Sequence, residues 1–142
     1  MGEGFEAVRS GRVIQLRVQR LLDLEDIERL GGAVVCAIRD AGPGASICAD
    51  YRHTSPLPPA VAKAWSRVMR TTNNALARSA LLIEPGNTLF NLQMERIVRC
   101  SVNPARRIFS DVVKLGDWMA AVLEESERAA VGSFLLGSAT PR

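Results

Sequence analysis

The chain has 142 residues, 47% hydrophobic and 23% charged, the size and make-up of one globular domain, which excludes a two-lobed enzyme and a disordered or fibrous chain. Its 18 basic and 15 acidic residues give a net charge of +3, and because the two signs are interleaved, the balance supplies no nucleic-acid-binding face. No stretch reaches the roughly 18 apolar residues of a membrane span, and Met1 to Ser10, with Glu3 and Glu6, lacks the apolar run of a secretion signal.

In chain order, Phe5 to Val8 and Val13 to Val18 read as two strands around a turn at Ser10 and Gly11. In the second, Ile14, Leu16 and Val18 alternate with polar residues, the period of a strand with one buried face. Asp23 caps a first helix in which Leu24, Ile27, Leu30, Val34 and Ile38 share one side, and Gly42, Pro43 and Gly44 end it. Ala45 to Tyr51 predicts a third strand, inside a sheet. His53 to Pro59 holds three prolines and is a loop. Pro59 opens a second helix, where proline suits the first turn, with Val61, Ala64, Trp65, Val68 and Met69 inward.

Ala80 to Ile83 is a short apolar run of the kind a buried parallel strand shows. Asn87 or Thr88 caps a third helix with Phe90, Met94, Ile97 and Val98 inward, and Arg107 to Phe109 is the last strand. Ser110 or Asp111 caps a fourth helix that carries Leu115, Trp118, Met119 and Val122. Strands alternating with helices imply crossover connections and a mostly parallel mixed sheet of about five strands, in the order β-β-α-β-α-β-α-β-α, with the opening hairpin supplying an antiparallel edge. This α/β domain is expected to span residues 1–123. A helical or frayed tail, 124–142, has Val131, Phe134 and Leu135 at helical spacing and either folds back on the domain or offers an anchor to a partner.

Two segments carry a family resemblance. Ile47 to Arg52 reads ICADYR, an apolar strand closing on an acidic residue before the second helix. Arg106 to Trp118 reads RRIFSDVVKLGDW, a last strand and last helix with aromatic Phe109, a capping position and a helical tryptophan. On these pieces and on the order of elements, residues 5–123 resemble the STAS domain. That is the fold of bacterial anti-sigma factor antagonists and of sulfate transporter tails, related to lipid-binding Sec14-type domains.

The resemblance implies a non-enzymatic regulatory or scaffolding module that acts by protein-protein interaction, with a protein partner or with itself as a homodimer. In anti-sigma antagonists a serine at the start of the second helix is phosphorylated by a partner kinase; the nearest matches here are Thr54 and Ser55. The family's compact Asp-Ser-Ser-Gly turn is replaced by the longer, proline-rich Asp50 to Pro59. A phosphate at a helix N-terminus needs free amide hydrogens, and Pro58 and Pro59 have none. The contact surface is expected on the edge of the second helix and its loop, His53 to Trp65, with any switch at Thr54 or Ser55.

Cys48, Asp50 and Arg52 alternate onto one side of a strand whose end carries His53 and Ser55, and ligands of parallel sheets sit at that end. Asp50 could orient His53 to activate Ser55 as a hydrolase does. Residues so close along an extended chain diverge, however, and no glycine-rich turn presents a nucleophile. No catalytic residue is expected. Cys36, Cys48 and Cys100 form neither a zinc set nor a disulfide framework, so no metal or cofactor is expected, and a cytoplasmic location follows.

Arg96, Arg99, Arg106 and Arg107 read as solvated surface, while Gln93 and Arg96 suit hydrogen bonds across a subunit interface. Trp65 and Trp118 read as core. The alternative function is a small-ligand or lipid carrier with a Sec14-like apolar pocket between helices.

Overall fold

The computed structural model describes residues 4–137. β1 (Phe5–Ser10) and β2 (Val13–Val18) form the opening antiparallel hairpin. Its turn places Gly11 at φ 61°, the left-handed region that favours glycine. β3 (Ser46–Asp50), β4 (Arg78–Leu82) and β5 (Arg106–Phe109) follow in parallel with β2, giving the sheet order β1-β2-β3-β4-β5.

The crossovers are α1 (Leu24–Ala41), α2 (Pro59–Thr72) and α3 (Thr88–Ser101). Each steps one strand further in the same direction, so connections of one hand set all three helices on one face. That face holds the larger core: Ile14, Leu16, Ile47 and Leu81 from the sheet meet Leu30, Val34, Val61, Trp65, Phe90 and Met94 from the helices. α4 (Val112–Ala120) and α5 (Glu125–Gly137) cover the opposite face, where Val13, Cys48, Ala80 and Leu82 meet Leu115, Met119, Val131 and Leu135. One α/β domain therefore carries a five-stranded mixed sheet with five helices.

Local chemistry explains the boundaries. Asp23 caps α1 by accepting from the Asp26 amide at 2.9 Å, and Asp111 caps α4 through the Val113 and Lys114 amides. Asn87 precedes α3 without capping it by its side chain, and its Nδ2 donates to the Thr54 carbonyl on the loop before α2. β1 runs on to Ser10 and β4 begins at Arg78, beyond the apolar runs in the sequence, since ladder pairing of Ser10 with Val13 and of Ser46 with Arg78 is a main-chain matter. α1 and α2 approach closely at Gly31, where an added Cβ would stand 3.2 Å from Val68 Cγ2.

Two expectations change, and an open alternative resolves. Arg106 is not surface: it is buried, donating to Asn73 Oδ1, Ser79 Oγ, Thr72 Oγ1 and the Met69 carbonyl, so that it ties the end of α2 to β4 and β5. Burial holds its pKa below the ordinary arginine value. Trp118 is half-buried at the sheet edge against Phe109, with Arg78 and Arg107 over its ring, rather than in the core. The tail folds back as α5, through Gly137; the expected fraying of Gly137 to Arg142 otherwise lies outside the described residues.

Candidate functional site

Loops at the carboxyl ends of parallel strands are where such sheets bind ligands. Asp50 closes β3 there, and its side chain is 1% exposed. Arg17, opposite Asp50 on β2, donates from Nε to Oδ2 at 3.3 Å. Arg52 donates from Nε to Oδ1 at 3.0 Å and from Nη2 to Oδ2 at 3.1 Å, and its backbone amide adds a third bond to Oδ1 at 3.0 Å.

Both arginines also reach the last turn of α5: Arg17 donates to the Phe134 carbonyl at 2.5 Å and Arg52 to the Leu135 carbonyl at 2.8 Å. Two guanidiniums around one carboxylate leave an excess positive charge, and the negative end of the α5 dipole offsets it. The Phe134 ring lies against Arg17, 4.2 Å from ring centroid to guanidinium carbon. Asp50 thus joins the sheet to its cover, with both of its oxygens bonded by arginines.

The loop from 51 to 58 is pinned from both sides. Thr54 is buried and donates its hydroxyl to the Val18 carbonyl at 2.5 Å, out of reach of a kinase in this fold. Ser55 and His53 are exposed, and the Ser55 amide donates to the Gln19 carbonyl. From α3, Asn87 donates to the Thr54 carbonyl at 2.7 Å, and the Gln93 amide both accepts from Leu57 N and donates to Leu57 O, each at 2.8 Å. Gln93 is therefore used inside the chain. Pro58 and Pro59 begin α2 with no side-chain cap, so that terminus presents few donors.

Buried Cys48 is a thiol, pushed up to about 12 by burial and then by Asp50. Tyr51 is likewise raised by burial and stacks near Phe90. Trp65 packs in the core and stands behind the expected contact surface, not on it.

Beside this loop runs an open groove of about 640 Å³ between α2 and α3. α2 contributes Pro59, Ala62, Lys63, Ser66 and Arg70; α3 contributes Leu89, Leu92, Gln93, Arg96 and Cys100. Both sets recur at one-turn spacing, the way a single helix face is drawn. Leu89 and Leu92 are each 60% exposed. By contrast, the space between sheet and helices lined by Tyr51, Trp65, Met69 and Arg106 is about 10 Å³, room for one water and for no lipid or metabolite. The aromatic rings and Arg106 fill that inner space, so the apolar space between helices is the open groove of α2 and α3. Among the described residues no three His, Cys, Asp or Glu are grouped to hold a metal ion, and no helix is long and apolar enough to cross a membrane.

The architecture matches a solved structure, that of an uncharacterised DUF3478-family protein from Shewanella loihica PV-4 with a SpoIIAA-like fold, at a TM-score of 0.59 and 16% identity over 80% of this chain and 90% of that one. The fold is SpoIIAA-like. This is the STAS-like fold that the sequence resemblance implies, and at this identity the likeness carries the fold alone. No protein-family model and none of the curated proteins matches the sequence.

Sequence reasoning missed three side chains at this end of the molecule. Arg17 sat on the wet side of an alternating strand, and its register opposite Asp50 emerges only on pairing. Leu89 and Leu92 fall off the inward stripe of Phe90, Met94 and Ile97; apolar residues on the wet side of an amphipathic helix were the available signal.

Proposed function

We propose that this chain is a regulatory or scaffolding module that performs no chemistry of its own and works by binding another protein in the cytoplasm through the loop from His53 to Pro58 and the groove between α2 and α3. The observation that carries this reading is the groove itself. Two leucines exposed on adjacent turns, next to a loop that α3 holds rigid, form a preorganised apolar surface of the kind at the centre of protein interfaces. The SpoIIAA-like fold, found in regulatory binding domains, supports it. Of the two hydroxyls compared with the family's switch serine, Ser55 is the exposed one, so any phosphate-dependent control acts there.

The test is recovery of partners from the native host with wild type and with the double variant Leu89→Asp, Leu92→Asp, both substitutions lying outside the core. A protein bound by wild type and lost by the folded variant is expected. Identical recovery by both would contradict the reading.

A further inference from the structure

The charges around the groove point to the chemistry of its occupant. Along its walls stand Lys63, Arg70 and Arg96, and none of the residues lining it is acidic. Among the described residues, none of these three cations pairs with a carboxylate; Arg70 donates only to Ser66 Oγ, at 3.2 Å. Elsewhere the same chain pairs exposed arginines readily, as Arg29 does with Glu25 and Asp26. The floor, by contrast, is apolar: Pro59, Ala62, Leu89, Leu92 and Ile97.

The groove is therefore an apolar trough with an uncompensated cationic rim. Its two walls are parallel 14-residue helices, about 21 Å long at 1.5 Å per residue. This fits a helix of about four turns whose apolar side fills the trough and whose flanks carry carboxylates. A second copy docking through the same groove would set cation against cation, which argues against a symmetric dimer there.

Resting on the function proposed above, we infer that the groove between α2 and α3 receives an acidic amphipathic helix of a partner protein. Leucines at one-turn spacing in that helix lie between Leu89, Leu92 and Ala62, and its glutamates or aspartates face Lys63, Arg70 and Arg96.

The test uses the full chain and two synthetic peptides of about 14 residues, alike in their leucine stripe, one flanked by glutamate and the other by lysine. Fluorescence anisotropy should show the acidic peptide binding and the lysine peptide not, with affinity falling as salt rises. The exposed-residue variant Arg70→Glu, Arg96→Glu should weaken the acidic peptide by about tenfold or more, while Arg9→Glu, Arg39→Glu, an equal charge change at exposed positions on β1 and α1, leaves it alone. The acidic peptide should also slow alkylation of Cys100, which lines the groove.

Equal binding of the two peptides, or indifference to the groove reversal, would overturn the inference. So would groove-dependent binding to phosphatidylglycerol vesicles without preference for the acidic peptide, or concentration-dependent self-association abolished by Leu92→Asp, which would give the site to a lipid surface or to a second copy. If the cellular partner is lost by the leucine variant yet the peptides bind alike, the assigned charge of the partner falls and the proposed function stands. If that variant keeps its partners, the underlying reading falls with it.

Discussion

Arg17 and Asp50 stand opposite each other on neighbouring parallel strands, Nε to Oδ2 at 3.3 Å, and the same guanidinium continues to the Phe134 carbonyl on α5. A strand residue thereby holds the covering helix to the sheet through a buried carboxylate. Removing the charge of Asp50 leaves Arg17 and Arg52 desolvated beside each other. Asp50→Asn is expected to destabilise the fold by about 3 kcal/mol or more, read by urea unfolding. Hydrogen exchange should rise in α5 ahead of α1; unaltered exchange in α5 would contradict the clasp.

The other end of α5 is held by Glu127. Its carboxylate accepts from the Arg12 amide at 2.8 Å and from the Glu124 amide at 2.8 Å, the latter closing the helix N-terminus on itself. Burial alone would raise this carboxyl, but the two amide bonds and the Arg12 guanidinium outweigh it and hold the group below the ordinary glutamate value. A carboxyl depressed in the folded state contributes its stability fully above the unfolded value, about 4.3. That contribution drains away as pH falls through the lower folded value. Glu127→Gln should therefore cost about 2 kcal/mol at pH 7, and the gap to wild type should close on acidification toward pH 3. A gap that does not change with pH would show that the charge is not what matters.

The same two ends mark what was legible in the sequence and what was not. β2 and α1 could be read directly from their apolar periods and the α1 cap, but the expected wet face of β2 is a correction: Val13 and Gln15 are buried too, because α4 and α5 cover the second face of the sheet. β3 and β4 lie in mid-sheet with both faces covered, so their alternation vanishes and their ends shift by a residue or two. The sheet order and the STAS-like fold survived those slips, because they depend on alternation of elements and not on exact ends. Asp50, Arg17, Arg106 and Glu127 resisted reading for another reason. Each is a buried or, for Arg17, half-buried charge with partners far away in sequence, and composition counts it as surface. Of the site, the loop, the inward packing of Trp65 and the positions of Gln93 and Arg96 were readable; the inward use of Thr54 was not.

α3 ends on a strained residue. Val102 has φ 51° and ψ 49° and is 84% exposed, with its amide donating to the Arg99 carbonyl. A β-branched residue in this region costs about 1 kcal/mol against glycine. Val102→Gly should raise Tm by about 3 °C and leave groove binding as it is, since Val102 does not line the groove. A lowered Tm would mean that contacts of the isopropyl group outweigh the backbone strain.

Thiol reactivity checks the packing of the second face. Cys36 and Cys100 are exposed, while Cys48 is buried and pushed up to about 12. Mass spectrometry after brief iodoacetamide treatment at pH 8 should find two labels per native chain and three after denaturation. Rapid labelling of Cys48 in native protein would show that α4 and α5 leave the sheet uncovered.

The central claim, that the groove beside the loop is where another protein sits, is tested most directly by a photo-crosslinking amino acid placed at Leu92 and, for comparison, at Val8, half-exposed on β1 at the far edge of the sheet. Irradiated in the native host, the chain labelled at position 92 should form a discrete adduct with a different protein, whereas the chain labelled at position 8 should not. Adducts of equal yield from both positions, or none from position 92, would contradict it.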